Sequence, residues 1–363
     1  MKTALVHDWL TGMRGGEKVL EQICLLFPGA DIFTLICDRT RISDTIKRHR
    51  IRTSFLQNIP GIFKGYRNFL PLFPAAIESF NLKGYDAVIS SSHCVAKSVK
   101  PPNPARHICY CHTPMRYAWD QFGAYFTPEK TGRLKYALIS AIMPGLRKWD
   151  AATALRAGHY IANSFHVKKR IEKYYSRQAE VLYPPVDTEF FTPAGGKEDF
   201  YLMVSALNEY KRPELCVEAF RKMPGKKLKI IGSGPLLEKL RANAPQNVEF
   251  MGYRSDAEIR DNYRAAKAFL FPGEEDFGIT MAEAAACGTP VIALNRGGAL
   301  EIVIEGKTGE FFDGTEEGLI KTIEKTEKAV YDTKVMRESA MRFSVENFRK
   351  GFVKMVEKAG IRA

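Results

Sequence analysis

Residues 274–290 read EEDFGITMAEAAACGTP. The apolar run at 268–271 comes directly before this stretch and predicts a buried strand. A helical pattern follows and stops at Gly288, and Pro290 just beyond it is a normal stop signal. The sequence therefore predicts a strand, a loop and a helix, with Glu275 in the loop and Glu283 in the helix.

The start of this predicted helix has the properties of an anion site. Backbone amides in the first turn of a helix lack intrahelical partners and attract phosphate. After Phe277, these amides belong to Gly278, Ile279 and Thr280. One carboxylate on each side of such a site suits a ligand with a diphosphate in its middle and hydroxyl-rich groups at both ends, which is the shape of a nucleotide sugar. Surface acids on an ordinary strand–loop–helix unit are the alternative interpretation.

Short apolar strands alternate with helical patterns along the chain, and this predicts α/β domains with parallel sheets covered on both faces. In the first half, strands are predicted at 3–6, 31–36, 87–90, 106–110 and 159–162, and helices at 17–26, 151–157 and 167–175. In the second half, strands are predicted at 200–205, 227–231, 248–251, 268–271, 290–293 and 310–312, and helices at 213–221, 235–243, 256–265 and 280–287. The 363 residues suffice for two such domains, and Pro184-Pro185 predicts a linker between them.

Two loops of the first half carry candidate binding residues. Gly15 and Gly16 precede a predicted helix, so their amides can approach a phosphate, although a tight turn is the alternative. Their spacing is not the dinucleotide-binding fingerprint. His112 follows a predicted strand, at the sheet edge where open α/β sheets bind ligands. The alternative for His112 is a hydrogen-bonded histidine at the start of a loop.

Three loops of the second half also follow predicted strands and carry glycines or a cation. They hold Lys211 after the strand at 200–205, Gly232 and Gly234 after the strand at 227–231, and Gly297 and Gly298 after the strand at 290–293. Each loop taken alone is as typical of a turn as of a site. Because all of them follow strands, they predict several ligand contacts at one edge of a sheet.

Together, these motifs resemble the Glu-x7-Glu signature and loop order of the retaining, nucleotide-sugar-dependent glycosyltransferases. The resemblance extends over residues 3–312. It implies the GT-B fold, in which two Rossmann-like, doubly wound parallel-sheet domains face each other across a cleft. It places an acceptor-binding domain at 1–185, a nucleotide-sugar-binding domain at 186–344, and a helix that crosses back to the first domain at 345–363.

The resemblance also implies roles for individual residues. The implied catalytic residues are His112, Glu275 and Lys211. The implied donor-binding residues are Gly15, Gly16, Lys211, Gly232, Gly234, Phe277, Gly278, Ile279, Thr280, Glu283, Gly297 and Gly298. The implied acceptor-binding residues are Arg14, Arg116, Tyr117 and Trp119. The leaving diphosphate would be stabilised by cations and amides with no metal and no cofactor, and the sequence contains no Asp-x-Asp motif.

The identity of the sugar rests on a narrower resemblance. The run at 112–120 is similar to the mannosyltransferases of the WbaZ type, which build bacterial surface polysaccharides such as lipopolysaccharide. This resemblance implies a hexosyltransferase, with mannose from GDP-mannose as the first expectation. A two-carboxylate glycosidase is the alternative use of Glu275 and Glu283, and it is rejected because the family places Glu283 on the nucleotide side of the donor.

One position departs from the family pattern. Family members usually carry Arg where this chain has Ala206, and that Arg helps Lys211 to hold the donor diphosphate. Its loss removes a charge-assisted hydrogen bond, typically about 1.5–3 kcal/mol. Arg212, Arg14 and Arg296 are the available replacements. A nucleotide-sugar-binding homologue with little or no activity is therefore the second hypothesis.

The positive charge is concentrated in the first half of the chain. Residues 1–185 hold 27 Lys and Arg against 13 Asp and Glu, whereas residues 186–363 hold 27 against 28. This predicts an anionic partner for the first half, either a polyprenyl-diphosphate-linked or oligosaccharide acceptor or an anionic membrane surface. A solvated basic surface without a partner is the alternative. A specific nucleic-acid complex is the weakest interpretation, because charge is its only support.

The chain is expected to work in the cytoplasm, peripherally at the inner face of the membrane. Seven Cys without disulfide-framework spacing indicate reduced thiols, and the sequence has no apolar run long enough to span a bilayer. The apolar stretch at 55–82, which includes Lys64 and Arg67, is as consistent with a lipid-facing patch as with core packing.

Overall fold

The computed structural model describes residues 1–362. It divides into two compact units. The first unit comprises Met1–Pro185 together with the segment from Glu346 onward, and the second unit comprises Val186–Val345. Each unit is built on one parallel sheet, as the alternation of strand and helix patterns predicts.

The first unit contains a seven-stranded parallel sheet with the order β3-β2-β1-β4-β5-β6-β7. Its strands are β1 (Thr3–His7), β2 (Asp31–Thr34), β3 (Ile51–Thr53), β4 (Ala87–Ser92), β5 (His107–Cys111), β6 (His159–Ala162) and β7 (Glu180–Val181). β4 and β5 are buried along their whole length, as expected where helices cover both faces of a parallel sheet. The strand order reverses between β1 and β4, which is where a sheet of this kind opens a ligand crevice.

Within residues 1–362, nine α-helices belong wholly or almost wholly to the first unit. They are α1 (Gly15–Leu26), α2 (Asp44–Lys47), α3 (Ile62–Gly65), α4 (Phe73–Glu78), α5 (Phe122–Tyr125), α6 (Pro128–Thr131), α7 (Arg133–Thr153), α8 (Phe165–Tyr175) and the last helix of the chain, α16 (Val345–Lys358). α16 buries Phe348, Phe352 and Val356 in the same core cluster as residues of β1 and α1.

The second unit contains a six-stranded parallel sheet with the order β10-β9-β8-β11-β12-β13. Its strands are β8 (Tyr201–Val204), β9 (Leu228–Ile231), β10 (Val248–Gly252), β11 (Phe269–Phe271), β12 (Val291–Leu294) and β13 (Gly309–Phe312). Its helices are α9 (Pro213–Arg221), α10 (Leu237–Ala242), α11 (Asp256–Ala265), α12 (Ile279–Ala286), α13 (Ala299–Ile302), α14 (Glu316–Lys328) and α15 (Thr333–Met341). The order reverses between β8 and β11, so the ligand crevice of this sheet is expected at their carboxyl ends.

The apolar stretch at 55–82 belongs largely to the core of the first unit. It folds into short helical turns, and Leu56, Ile62, Phe73 and Ile77 are each at most 2% exposed in one cluster. Most apolar side chains of this stretch therefore pack in the core of the first unit, as the core-packing interpretation predicts.

Two predictions of local structure in the first unit are wrong. The helix predicted at 151–157 is only the end of α7, which begins at Arg133 and is followed by a 3-10 turn over Ala154–Arg156. Pro144 and Gly145 resemble helix breakers in the sequence, yet α7 continues through both. β3 was not predicted, because three residues are too short to show an alternating pattern.

No helix within residues 1–362 has both the length and the apolar character needed to cross a bilayer.

Candidate functional site

Lys211 and Glu275 form an ion pair at the reversal point of the second sheet. Lys211 ends a 3-10 turn after β8, and Glu275 lies in the loop after β11. The Lys211 Nζ lies 2.5 Å from the Glu275 Oε1, and both side chains are about six-sevenths buried, at 15% and 14% exposure. The two proposed catalytic residues of the second half therefore meet at the carboxyl edge of adjacent strands.

Gly273 permits this close approach, although the sequence analysis did not select it. A Cβ atom on Gly273 would lie 2.8 Å from the Lys211 Cα and 2.9 Å from the Tyr210 carbonyl oxygen. Only a residue without a side chain lets the loop after β11 run so near the loop after β8. A glycine two residues after the predicted strand at 268–271 was the available signal.

The sequence predicts an anion site at the start of α12, and the structure shows the backbone geometry there. Gly278 is the N-cap residue with φ of 89°, and a Cβ atom there would lie 2.2 Å from the Met281 side chain. Gly278 has no side chain with which to cap the helix, and Ile279 and Thr280 are the first two helical residues after it. The helix dipole adds positive potential at this point.

Glu283 lies inside α12 and is 7% exposed. Its Oε2 accepts a 3.3 Å hydrogen bond from the Tyr263 hydroxyl of α11. Burial, reinforced by the Glu283 carboxylate, raises the pKa of the Tyr263 phenol well above its usual value, so Tyr263 stays a donor. Tyr263 was missed in the sequence because it reads as one more apolar position of an amphipathic helix.

The other predicted donor glycines bring loop backbones together at the same edge. A Cβ atom on Gly298 would lie 2.4 Å from the Phe277 carbonyl oxygen, and the Gly298 amide donates a 2.8 Å hydrogen bond to the Glu275 carbonyl oxygen. Gly297 contacts the same loop, with its Cβ position 2.5 Å from the Glu275 carbonyl oxygen. These two glycines therefore support the backbone of the loop that carries Glu275.

Gly232 and Gly234 act in the same way on the loop after β8. The Cβ position of Gly232 would lie 1.8 Å from the Ser205 carbonyl oxygen, and that of Gly234 would lie 2.4 Å from the Leu207 carbonyl oxygen. Gly232 also has φ of 139°, in the region that favours glycine. At all four positions, close contact with a neighbouring backbone explains why the residue is glycine, whether or not a ligand binds.

Ala206 is exposed in the loop after β8, between Ser205 and Leu207. Two of the arginines that could replace the missing Arg at position 206 lie in the second unit. One of them, Arg212, already donates a 2.7 Å hydrogen bond from its Nη2 to the Gly314 carbonyl oxygen. Arg296 is exposed just before Gly297 in the loop after β12, and its side chain makes no hydrogen bond or ion pair with any other residue in the range 1–362. Arg296 is thus the available cation of that loop.

In the first unit, the Ser91 hydroxyl links the rings of His7 and His112 through hydrogen bonds. The Ser91 Oγ lies 2.8 Å from the His112 Nε2 and 3.1 Å from the His7 Nδ1. A hydroxyl carries one proton, so Ser91 donates to one ring and accepts from the other. Burial, followed by repulsion from His93, lowers the pKa of His7 to about 3, which keeps the His7 ring neutral.

Gly16, the second helical residue of α1, lies against this pair of histidines. Its Cβ position would lie 3.6 Å from the His7 Cε1 and 3.7 Å from the His112 Nε2. Arg14 is the N-cap residue, and its amide donates a 3.1 Å hydrogen bond to the buried Glu17 carboxylate. Burial raises the pKa of Glu17 to about 7. The first unit thus brings Gly16 close to His7 and His112, whereas a Cβ atom on Gly15 would face open space.

The Asp8 carboxylate organises the neighbouring loop. It accepts backbone hydrogen bonds of 2.6–3.0 Å from His93, Cys94, Val95 and Ala96, the residues directly after β4. Its Oδ2 also lies 3.2 Å from the His93 Nδ1. Asp8 is fully buried, so the loop after β4 is fixed relative to the end of β1. This contact is not visible in the sequence, because Asp8 and His93 are 85 positions apart.

The aromatic residues predicted to contact the acceptor are engaged in packing. The Trp119 Nε1 donates a 2.8 Å hydrogen bond to the Asp150 Oδ2, and the Trp119 ring stacks on Tyr174 with centroids 4.7 Å apart. The Tyr117 hydroxyl lies 2.5 Å from the Cys94 Sγ. Asp150 is itself paired with the buried Lys97 at 2.9 Å. The loop at 113–120 is therefore held by a buried polar network.

Within residues 1–362, no three His, Cys, Asp or Glu side chains are grouped so as to hold a metal ion. All seven cysteines are buried, and within residues 1–362 none is joined to another by a disulfide bond.

Residues 187–342 match the family described as "Glycosyl transferases group 1". This range lies within the second unit and contains Lys211, Glu275 and Glu283.

Curated relatives cover part of the chain. A GDP-mannose-dependent alpha-(1-6)-phosphatidylinositol monomannoside mannosyltransferase of Mycolicibacterium smegmatis is 32% identical over 176 residues, 40% of this chain and 46% of that protein. A D-inositol 3-phosphate glycosyltransferase of Mycobacterium sp. strain KMS is 30% identical over 162 residues, 38% of this chain and 37% of that protein. The chain thus spans less than half the length of these two relatives.

Solved structures resemble the whole chain. The apo lipopolysaccharide outer core galactosyltransferase WaaB has a TM-score of 0.69 at 18% identity, covering 99% of this chain and 100% of that chain. The sucrose-phosphate synthase of Thermosynechococcus elongatus has a TM-score of 0.73 at 18% identity, covering 99% of both chains. Anabaena Alr3699/HepE in complex with UDP-glucose has a TM-score of 0.66 at 18% identity, covering 99% of this chain and 100% of that chain. These likenesses confirm the predicted fold class, two parallel-sheet α/β domains of the GT-B type.

Proposed function

We propose that this chain is a glycosyltransferase whose second unit, matched by the group 1 family over residues 187–342, binds a nucleotide sugar. The observation that carries the proposal is the arrangement around α12. Lys211 forms an ion pair with Glu275, which lies in the loop that leads into α12, and Glu283 is buried within that helix. A diphosphate beside the helix start would be bound by the amides of α12 and by the Lys211 ammonium group.

The proposed catalysis depends on where negative charge develops during transfer of the sugar. When the bond between sugar and diphosphate breaks, negative charge accumulates on the leaving diphosphate. Lys211 and the first-turn amides of α12 are fixed donors for that charge, since Lys211 is held by Glu275 at 2.5 Å. Glu275 keeps Lys211 oriented through this ion pair. Transfer with retention of configuration and without a metal is the reaction that we propose.

We propose a hexose as the transferred group, with mannose from GDP-mannose first. This is supported by the relative from M. smegmatis, which is named as a GDP-mannose-dependent mannosyltransferase. The acceptor that we propose is a polyprenyl-diphosphate-linked or oligosaccharide chain of surface glycan biosynthesis, reached peripherally at the inner face of the membrane. The excess of Lys and Arg in residues 1–185 supports an anionic acceptor or surface.

The decisive experiment is isothermal titration of the full chain with GDP, UDP, ADP and GDP-mannose. Saturable binding of one of these nucleotides is expected, together with loss of that binding in Glu283→Ala. Glu238→Ala is the matched control, because its side chain is 84% exposed on α10. Equal binding by the wild type and Glu283→Ala, or binding of none of these ligands, would refute the placement of the donor.

A nucleotide-sugar-binding protein with little or no transfer activity is the second proposal, favoured by Ala206. Ala206→Arg would restore a guanidinium group beside Lys211, so nucleoside diphosphate affinity should rise about tenfold or more. Titration of both chains measures this, and turnover with donor and acceptor separates the two proposals. Nucleotide binding without turnover, followed by turnover in Ala206→Arg, would favour the second. Unchanged affinity would mean that another cation already fills this role.

A further inference from the structure

One face of α7 is apolar and uncovered. Leu134 is 88% exposed, Leu138 is 61% exposed and Ile142 is 36% exposed. These residues are four apart, so they lie above one another on a helix. The exposed small residues Ala137, Ala141 and Gly145 fill the spaces between them. We call these six residues the α7 stripe.

The opposite face of α7 already supplies the packing that the fold requires. Met143 and Leu146 are 3% and 5% exposed in the core cluster of the first unit, and Ile139 packs against that cluster. The α7 stripe therefore contributes nothing to this core. Large apolar side chains exposed at helical spacing usually indicate a binding surface when they are contiguous.

The surroundings of the α7 stripe are basic. Residues 130–149 contain Lys130, Arg133, Lys135, Arg147 and Lys148 and no Asp or Glu. The Lys135 Nζ donates a 3.1 Å hydrogen bond to the Asn68 Oδ1, which joins α7 to the turn at Tyr66–Leu72. That turn and the short helix before it carry Lys64 and Arg67 and again no Asp or Glu. Two segments free of acids thus meet beside the stripe.

We propose that the α7 stripe docks the first unit on an anionic lipid bilayer. Leu134, Leu138 and Ile142 would enter the boundary between head groups and acyl chains, while the flanking Lys and Arg contact lipid phosphates. A helix that lies in the plane of a membrane has this combination of an apolar stripe and basic flanks. Each Lys or Arg near an anionic surface adds attraction, and the long side chains can reach the head groups.

A second copy of the chain fits this surface less well. Stable protein interfaces bury on the order of 800 Å² on each partner, and three large side chains fall well short of that area. Two copies joined by the same face would also bring two basic flanks together, which is repulsive. A bilayer offers apolar volume and negative charge at once. This inference names the surface of membrane contact and does not depend on the transfer reaction.

The test is flotation of the purified full chain with vesicles of phosphatidylcholine, alone or mixed with phosphatidylglycerol. The wild type should bind the mixed vesicles and be released by salt. Leu134→Glu/Leu138→Glu should lower the partition coefficient about tenfold or more. Val330→Glu is the matched control, because Val330 is 96% exposed in the second unit and should bind as the wild type does.

A second variant tests the charge separately. Arg133→Gln/Lys148→Gln should lower binding to the mixed vesicles about tenfold and weaken its salt dependence. Equal binding by the wild type and Leu134→Glu/Leu138→Glu would overturn the proposal. So would a wild type that sediments as a dimer while that variant sediments as a monomer, because the stripe would then face a second copy. Nucleotide titration of each variant reports on the proposed function independently.

Discussion

At the scale of single residues, Lys211 is the side chain on which the proposed chemistry depends. Lys211→Met leaves Glu275 without its cation and removes a fixed positive charge from the diphosphate site. We expect kcat/KM to fall about 10²–10³-fold, because such a donor acts most strongly on the charge of the transition state. Release of nucleoside diphosphate from the bound donor measures this. The exposed Lys239→Met on α10 is the control, and equal losses in the two variants would contradict the assignment.

Glu17 predicts a specific dependence of stability on pH. Its pKa in the folded chain is raised from 4.5 to about 7, so the folded state favours the protonated carboxyl group. Stability from this residue is therefore present below about pH 4.5 and is lost as pH rises towards 7. Glu17→Gln cannot ionise, so the variant should gain stability relative to the wild type by up to about 3 kcal/mol between pH 5 and pH 8.

Urea unfolding at the two pH values measures this difference. Glu21→Gln, one turn further along α1, is the matched control for the loss of a carboxylate from this helix. A constant difference between Glu17→Gln and the wild type at both pH values would show that Glu17 does not titrate in this range.

At the scale of elements, the loops after β8, β11 and β12 are held by glycines that touch neighbouring backbones. Gly298→Ala would place a methyl group 2.4 Å from the Phe277 carbonyl oxygen, so the loop with Glu275 must move. We expect a loss of unfolding free energy of about 2 kcal/mol or more and weaker nucleotide binding. Chemical unfolding and titration measure the two effects.

Gly225→Ala is the control for Gly298→Ala. No heavy atom lies within 4 Å of a Cβ atom at Gly225, and the residue has no positive φ. This variant should be neutral or slightly stabilising, because alanine restricts the unfolded chain more than glycine does. A Gly298→Ala protein as stable as Gly225→Ala would contradict the backbone contact.

The signals at helix boundaries explain which elements the sequence predicts well. α9 and α11 have the predicted bounds, because Pro213 begins one and a capping box of Ser255 and Glu258 begins the other. α7 was predicted only at its end, because Pro144 in a helix is normally disruptive. Local sequence signals therefore predicted the helices whose ends are set by residues within or directly beside the helix.

At the scale of the whole molecule, the last helix completes the first unit. Phe352 is fully buried, and the Arg349 guanidinium donates hydrogen bonds of 2.9 and 2.7 Å to the Gln22 Oε1 of α1. Phe352→Ala should lower the free energy of unfolding of the first unit by about 3–5 kcal/mol, since it empties a core site. Calorimetric unfolding in the presence and absence of nucleotide measures this, because ligand shifts the transition of the unit that binds it.

Phe55→Ala is the matched control for Phe352→Ala. Phe55 belongs to the same unit and is 46% exposed. Its truncation should cost less than about 1 kcal/mol. If Phe55→Ala and Phe352→Ala shift the transition equally, α16 does not pack on the core as described.

The sequence by itself determined the α/β class, the GT-B resemblance and the placement of Glu275, Lys211 and His112 after strands. This was possible because hydrophobic periodicity, helix caps and the loops at strand ends depend on residues that are close in sequence. The parallel sheets then place these loops at one edge in each unit, since the strands of each sheet run in the same direction.

Only the tertiary structure decided which of these residues touch. The contacts of Tyr263 with Glu283 and of Ser91 with His7 and His112 join residues 20, 84 and 21 positions apart. The tertiary structure also decided which apolar faces are covered. Residues 55–82 and α7 are both apolar in sequence, yet the first is largely buried and the second leaves Leu134 and Leu138 in solvent. An apolar pattern shows that a face can be buried, and only packing against another element determines whether it is.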